Sequence, residues 1–145
     1  MKKRILIIGC IASALTFAGC SRTANTSTED TRYVDGKPTE SLTKDAKRLV
    51  MSVRVGWRVT DAGAFAKSFS GDSVASAQGL LQNMISSADT QVVGLHNLSD
   101  FVSPDGSETT LNKIEKELQN VIEGKLEKNS GIAIESIRIS SVSQR

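Results

Sequence analysis

His96 is the only histidine in the chain, so any device built on an imidazole base would have to pass through it. It falls at the end of a helical pattern, beside apolar residues, and no second ligand type is spaced to join it. An imidazole in such a place caps a helix or covers the rim of a core, and neither catalysis nor metal binding is expected of it. Asp61, Asp72, Asp89, Asp100 and Asp105 are dispersed over apparent helix starts and turns. Capping explains them better than a paired-carboxylate acid–base site. Arg54 and Arg58 share one face of an extended segment and could receive an anionic partner or a lipid headgroup. Solvated or salt-bridged strand arginines are the expected reading. Trp57 alternates with Val55 and Val59 and belongs to a core. No glycine-rich phosphate loop, Walker lysine or HExxH helix occurs. The chain is therefore not expected to be an enzyme, and no catalytic, cofactor-binding or metal-ligating residue is assigned.

Cys20 is the one residue expected to carry chemistry, and that chemistry is acylation. Met1-Lys2-Lys3-Arg4 is a short basic segment, followed by the apolar run Ile5–Ala18. That run is too short to cross a bilayer core comfortably and has the length of a signal peptide's apolar region. It ends in Phe17-Ala18-Gly19-Cys20, which resembles the lipobox of bacterial lipoproteins, although Phe17 replaces the commoner Leu. The competing readings are an ordinary secretory peptide with an incidental cysteine, or a short membrane anchor. Residues 1–19 would be removed as a lipoprotein signal peptide, and Cys10 with them, leaving Cys20 as the sole cysteine. That excludes a disulfide framework, a zinc cluster and a CxxC pair. Loss of Lys2, Lys3 and Arg4 takes the 18 basic residues to 15, against 16 acidic ones. A nearly neutral chain with few aromatics is not expected to bind nucleic acid. Residues 20–31 form the acylated cysteine and a polar tether holding the rest about 18 Å from its anchor. Ser21 after the cysteine directs the protein to the periplasmic leaflet of the outer membrane in a two-membrane host. With one membrane, the outer face of the cell membrane is expected.

The elements that position these residues follow from periodicity. In Val50–Asp61, Met51, Val53, Val55, Trp57 and Val59 fall on one face of a long strand. Asp61 can cap a helix over Ala62–Phe69. Upstream, Arg32-Tyr33-Val34 is weakly extended, and Pro38 keeps its piece at a sheet edge. Glu40–Thr43 can pair with the long strand through a turn at Lys44–Lys47. Ser70-Gly71 breaks the first helix, and Asp72 or Ser73 can cap a second. Its stripe is Val74, Ala77, Leu81, Met84, Ile85, Ala88, Val92 and Leu95, with Asn97 closing it. Ser99–Val102 suggests one extra turn before the break at Pro104-Asp105-Gly106. A further amphipathic helix carries Leu111, Ile114, Leu118, Val121, Ile122 and Leu126, with Lys113 and Glu117 placed to pair. Asn129-Ser130-Gly131 stops it, and Ile132–Ile139 is a strand whose parity change between Ile134 and Ile137 suggests a bulge. The expectation is an α+β fold: a small antiparallel or mixed sheet with two main amphipathic helices on one face.

Thr43-Lys44-Asp45, Val53–Asp61 with Phe65 following, and Gly131–Ile139 resemble the SPFH or band-7 family of stomatin, prohibitin, flotillin and HflK/HflC. The likeness covers Arg32–Ile139, is closest to the HflC type, and sets the domain at residues 32–142. It implies a non-enzymatic membrane scaffold that associates laterally with itself or with SPFH relatives. For the HflC type it also implies restraint of a membrane-bound AAA protease. The family's usual anchor, its early glycine-rich strand and its long Ala/Glu-rich coiled coil are not matched here. The expectation is a partial SPFH domain, the membrane-distal half, carried on a lipid. A lipid-anchored module for a small envelope ligand is the alternative.

Overall fold

The computed structural model describes residues 30–69, 73–102 and 108–145. Cys20, the leader, the tether, the Ser70-Gly71 break, the cap at Asp72 or Ser73 and the Pro104-Asp105-Gly106 break lie outside the described residues.

The long alternating segment is the central strand, β3 (Arg48–Val59). Leu49, Met51, Val53, Val55, Trp57 and Val59 are all 0–1% exposed, whereas Arg54 and Arg58 on the opposite face are open to solvent. Full burial of each of these large side chains contributes about 1.5–3 kcal/mol, which makes the strand the backbone of the core. Along one edge of β3 lie β1 (Arg32–Asp35) and β2 (Thr39–Leu42), end to end and both antiparallel to it. Gly36 N donates to Val53 O at 2.8 Å, carrying the ladder past β1. Register then slips by one residue before Thr39 pairs with Met51. Pro38 lies in that slip, where its missing N–H costs no ladder bond. The expected edge role of this piece and the turn after it are both present.

The other edge of β3 is paired along its whole length by β4 (Ile132–Gln144), again antiparallel. The sheet is therefore antiparallel throughout. Two extra residues interrupt the β4 register: Glu135 between Ile134 and Ser136, and Ser140 between Ile139 and Ser141. The first is the bulge implied by the parity change, and it keeps Ile132, Ile134 and Ile137 on the buried face. The strand runs on past Ile139 to Gln144 because Leu49–Ser52 supply partners for a stretch with no apolar alternation of its own.

After β3, Asp61 caps α1 (Ala62–Ser68) by accepting from Ala64 N at 2.9 Å. Phe65 and Phe69 stack onto one another, and Phe65 lies 6.3 Å from Trp57, centroid to centroid. Next come α2 (Ser73–Val93), the short α3 (Leu98–Val102) and α4 (Glu108–Lys125). α2 packs on β1 and β2, α4 packs on β4, and the two helices pack side by side over the same face. Ala77, Leu81, Ile85, Ala88 and Val92 from α2 meet Ile114, Leu118 and Ile122 from α4 in the core. This is the expected α+β layer.

Two details differ from the periodic pattern. Leu95 is 65% exposed, because α2 ends at Val93 and the chain leaves through turns from Leu95 N to Val92 O and from His96 N to Val93 O. Asn97 opens α3 instead of closing α2: its N–H donates to Asp100 Oδ2 at 3.0 Å. At the other end of the layer, Gly131 has φ +71° and lies so close to the Asp61 carbonyl and the Phe65 backbone that any Cβ would collide. Its carbonyl accepts from Thr60 N at 2.8 Å, locking the approach to β4 against the start of α1.

Candidate functional site

His96 is held where α2, α4 and the β2–β3 turn converge. Its Nε2 lies 2.6 Å from Glu117 Oε2 on α4, and its Nδ1 lies 3.7 Å from Asp100 Oδ2 on α3. The ring stands edge-on to Phe101, and the backbone carbonyl of His96 accepts from Lys44 N at 2.8 Å. Thr43, Lys44 and Asp45 complete the junction. Thr43 Oγ1 donates to Asp45 Oδ1 at 2.6 Å and accepts from Lys47 N at 3.0 Å, while Asp45 Oδ1 also accepts from Leu98 N at 3.0 Å. The Thr43 hydroxyl and the Leu98 N–H hold the Asp45 carboxyl below its ordinary range. The imidazole thus covers a core rim, as its sequence position suggests, with Nε2 bound to the Glu117 carboxylate and the Asp100 carboxylate near Nδ1. The pairing expected between Lys113 and Glu117 is not what forms, because Glu117 turns to His96 instead. Among the described residues, no group of three or more His, Cys, Asp or Glu is placed to hold a metal ion.

The aspartates divide. Asp61 and Asp100 accept from N–H groups of helix starts, as expected. Asp72 and Asp105 lie outside the described residues. Asp89 departs from expectation altogether. It is in the last third of α2, 1% exposed, and neither carboxylate oxygen has a hydrogen-bond partner among the described residues. Burial pushes its pKa up to about 7.

Arg54 and Arg58 are salt-bridged on the exposed sheet face. Arg54 makes a two-pronged contact with Asp35, at 2.6 and 3.2 Å, which lowers the pKa of Asp35 and raises its own. Arg58 pairs with Glu135 at 2.8 Å, the residue inserted by the first β4 bulge. Neither arginine is free for a ligand. Trp57 is fully buried, with the Arg32 guanidinium 5.7 Å over its ring.

A concavity lies at the opposite end from His96, between α1 and the turn joining α4 to β4. This one has a volume of about 700 Å³, and its lining includes Thr60, Asp61, Lys67, Ser68, Lys128 and Asn129. Its floor is fixed by the Thr60–Gly131 bond and by Ser68 Oγ donating to Asn129 O at 3.3 Å. No sequence motif marks this site, because its residues come from the start and length of α1 and from a turn about sixty to seventy positions later.

A family model for the SPFH domain / Band 7 family matches residues 13–144. No curated protein matches the chain.

Proposed function

Because the chain belongs to the SPFH domain / Band 7 family, whose members are generally membrane-associated scaffold proteins, we propose that it is a lipid-anchored, non-enzymatic scaffold of the bacterial cell envelope. The match along residues 13–144 carries this reading. Cys20 is the acylation site, and residues 1–19 are the signal peptide that exposes it. The geometry supports an interaction module: β4 pairs only with β3 among the described residues, so its outer edge is available to a partner strand. That edge is partly closed, since Glu115 Oε1 on α4 accepts from Ile139 N at 2.9 Å and Arg138 is drawn onto the same carboxylate. Self-association, or association with another SPFH protein, would use the remainder. Modulation of a membrane protease complex is the finer role that the HflC-type likeness suggests.

The alternative, a module for a small envelope ligand, calls for an apolar cavity between helices and sheet. Leu81, Ile85, Ile114 and Leu118, each fully buried, fill that space. Crosslinking the full chain in its native membrane is expected to recover it with copies of itself or with an SPFH-family protein. Recovery of monomer alone, at crosslinker doses that capture known membrane complexes, would overturn the scaffold reading.

A further inference from the structure

The topology fixes which end of the sheet receives the chain from Cys20. β1 begins with Arg32 opposite Trp57, near the last residues of β3, and Thr31 Oγ1 donates to Glu135 Oε2 at 3.0 Å. Thr60, which lines the concavity between α1 and the turn after α4, is only three residues beyond Trp57, or about 10 Å along the strand. The concavity and the entry of the anchored segment therefore share one end of the molecule. The Lys44–Lys47 turn is at the other end, about 40 Å away along the twelve residues of β3.

At the entry end, Lys67 and Lys128 line the concavity, and neither side chain has an ion pair or hydrogen bond among the described residues. Nearby Asp61 is occupied by the α1 cap, leaving Glu127 as the one uncommitted carboxylate in the lining. The floor is held together by the Thr60–Gly131 and Ser68–Asn129 hydrogen bonds. Eleven residues separate Cys20 from Arg32, so even fully extended they span under about 40 Å, and this end stays within reach of the headgroups.

We propose that the concavity between α1 and the α4–β4 turn is a site for anionic phospholipid headgroups, in which Lys67 and Lys128 receive a headgroup whose phosphate charge no choline offsets and set the domain with this end on the bilayer. This rests on the reading of Cys20 as the anchor. A bilayer bearing anionic lipid attracts each nearby lysine and screens it from solvent.

The full acylated chain is reconstituted in vesicles of phosphatidylcholine, with or without phosphatidylglycerol. Its lysines are then modified with an amine reagent and quantified by mass spectrometry. Labelling of Lys67 and Lys128 is expected to fall about fivefold in the anionic vesicles relative to the neutral ones. Lys44 and Lys47, at the far end, should label equally in both. Equal labelling of Lys67 and Lys128 in the two vesicles overturns the site, and so does protection of Lys44 and Lys47 in their place. Protection by inorganic phosphate in detergent, without protection by the anionic bilayer, overturns it in favour of a soluble phosphate ligand. Intact mass reports acylation of Cys20 separately. A chain without acyl groups thus refutes the anchor, while the labelling still decides which end meets the lipid.

Discussion

Asp89 carries the least compatible charge in the described core: a carboxyl group 1% exposed, with no donor for either oxygen. Its folded-state pKa of about 7 exceeds the ordinary value of 3.8, so the folded protein keeps it protonated where the unfolded chain ionises it. Stability is then full below about pH 4, declines as pH rises towards 7, and stays at the lower level above that. The cost accumulated over this window is on the order of 4 kcal/mol. Asp89→Asn removes the titration while keeping the shape. Denaturant unfolding at pH 4.5 and pH 8 should show the native chain losing stability between the two, with the variant losing markedly less. Parallel pH dependence in both chains would show that Asp89 is not the titrating group. The sequence held the clue, since Asp89 follows Ile85 by four and precedes Val92 by three, squarely on the apolar stripe. The capping habit of aspartate outweighed that spacing, and only the packed helix shows which applies.

At the level of elements, the strands and helices were legible wherever one face is buried against one neighbour. Val53, Val55, Trp57 and Val59 announced β3, Ile114, Leu118 and Ile122 announced α4, and the parity change after Ile134 announced a bulge that the register confirms. What could not be read was the joining of distant elements: Glu117 reaching His96 and Asp45 reaching Leu98 N both depend on tertiary placement. Thr43 is the pivot of that junction. It is 4% exposed, and its hydroxyl serves both the Lys47 N–H and the Asp45 carboxylate. Thr43→Val keeps the side-chain shape and removes both bonds, at a cost of about 1–2 kcal/mol in stability. The carboxyl of Asp45 should also rise towards its ordinary range, since the hydroxyl is the larger of the causes holding it down. Stability that depends on the depressed group is present above the ordinary carboxylate range and lost as pH falls, so the variant's acid unfolding should be less steep. NMR titration of Asp45 checks the first effect and acid denaturation the second. An unchanged Asp45 titration in a folded variant would remove Thr43 from this role.

For the whole molecule, the fold organises two ends that differ in what they offer. The His96 end is tied by carboxylates, while the other end gathers the chain's entry and two lysines unpaired among the described residues around a concavity. No helix among the described residues is long and apolar enough to cross a membrane. In the proposed reading, attachment falls to acyl chains on Cys20. Each buried methylene contributes about 0.8 kcal/mol, so one chain holds only marginally while two or three hold firmly even against dilution. Headgroup contacts at Lys67 and Lys128 would orient the domain and add little to its retention. Cys20→Ser should therefore abolish fatty-acid incorporation and stop processing before residue 20, whereas Lys67→Gln with Lys128→Gln should leave both intact. Metabolic labelling with a fatty acid, followed by intact mass, checks the outcome. A Cys20→Ser chain that is still cleaved and still labelled would place the anchor elsewhere. One that is cleaved but unlabelled would identify an ordinary secretory peptide, and the domain would then meet the membrane only through its folded surface.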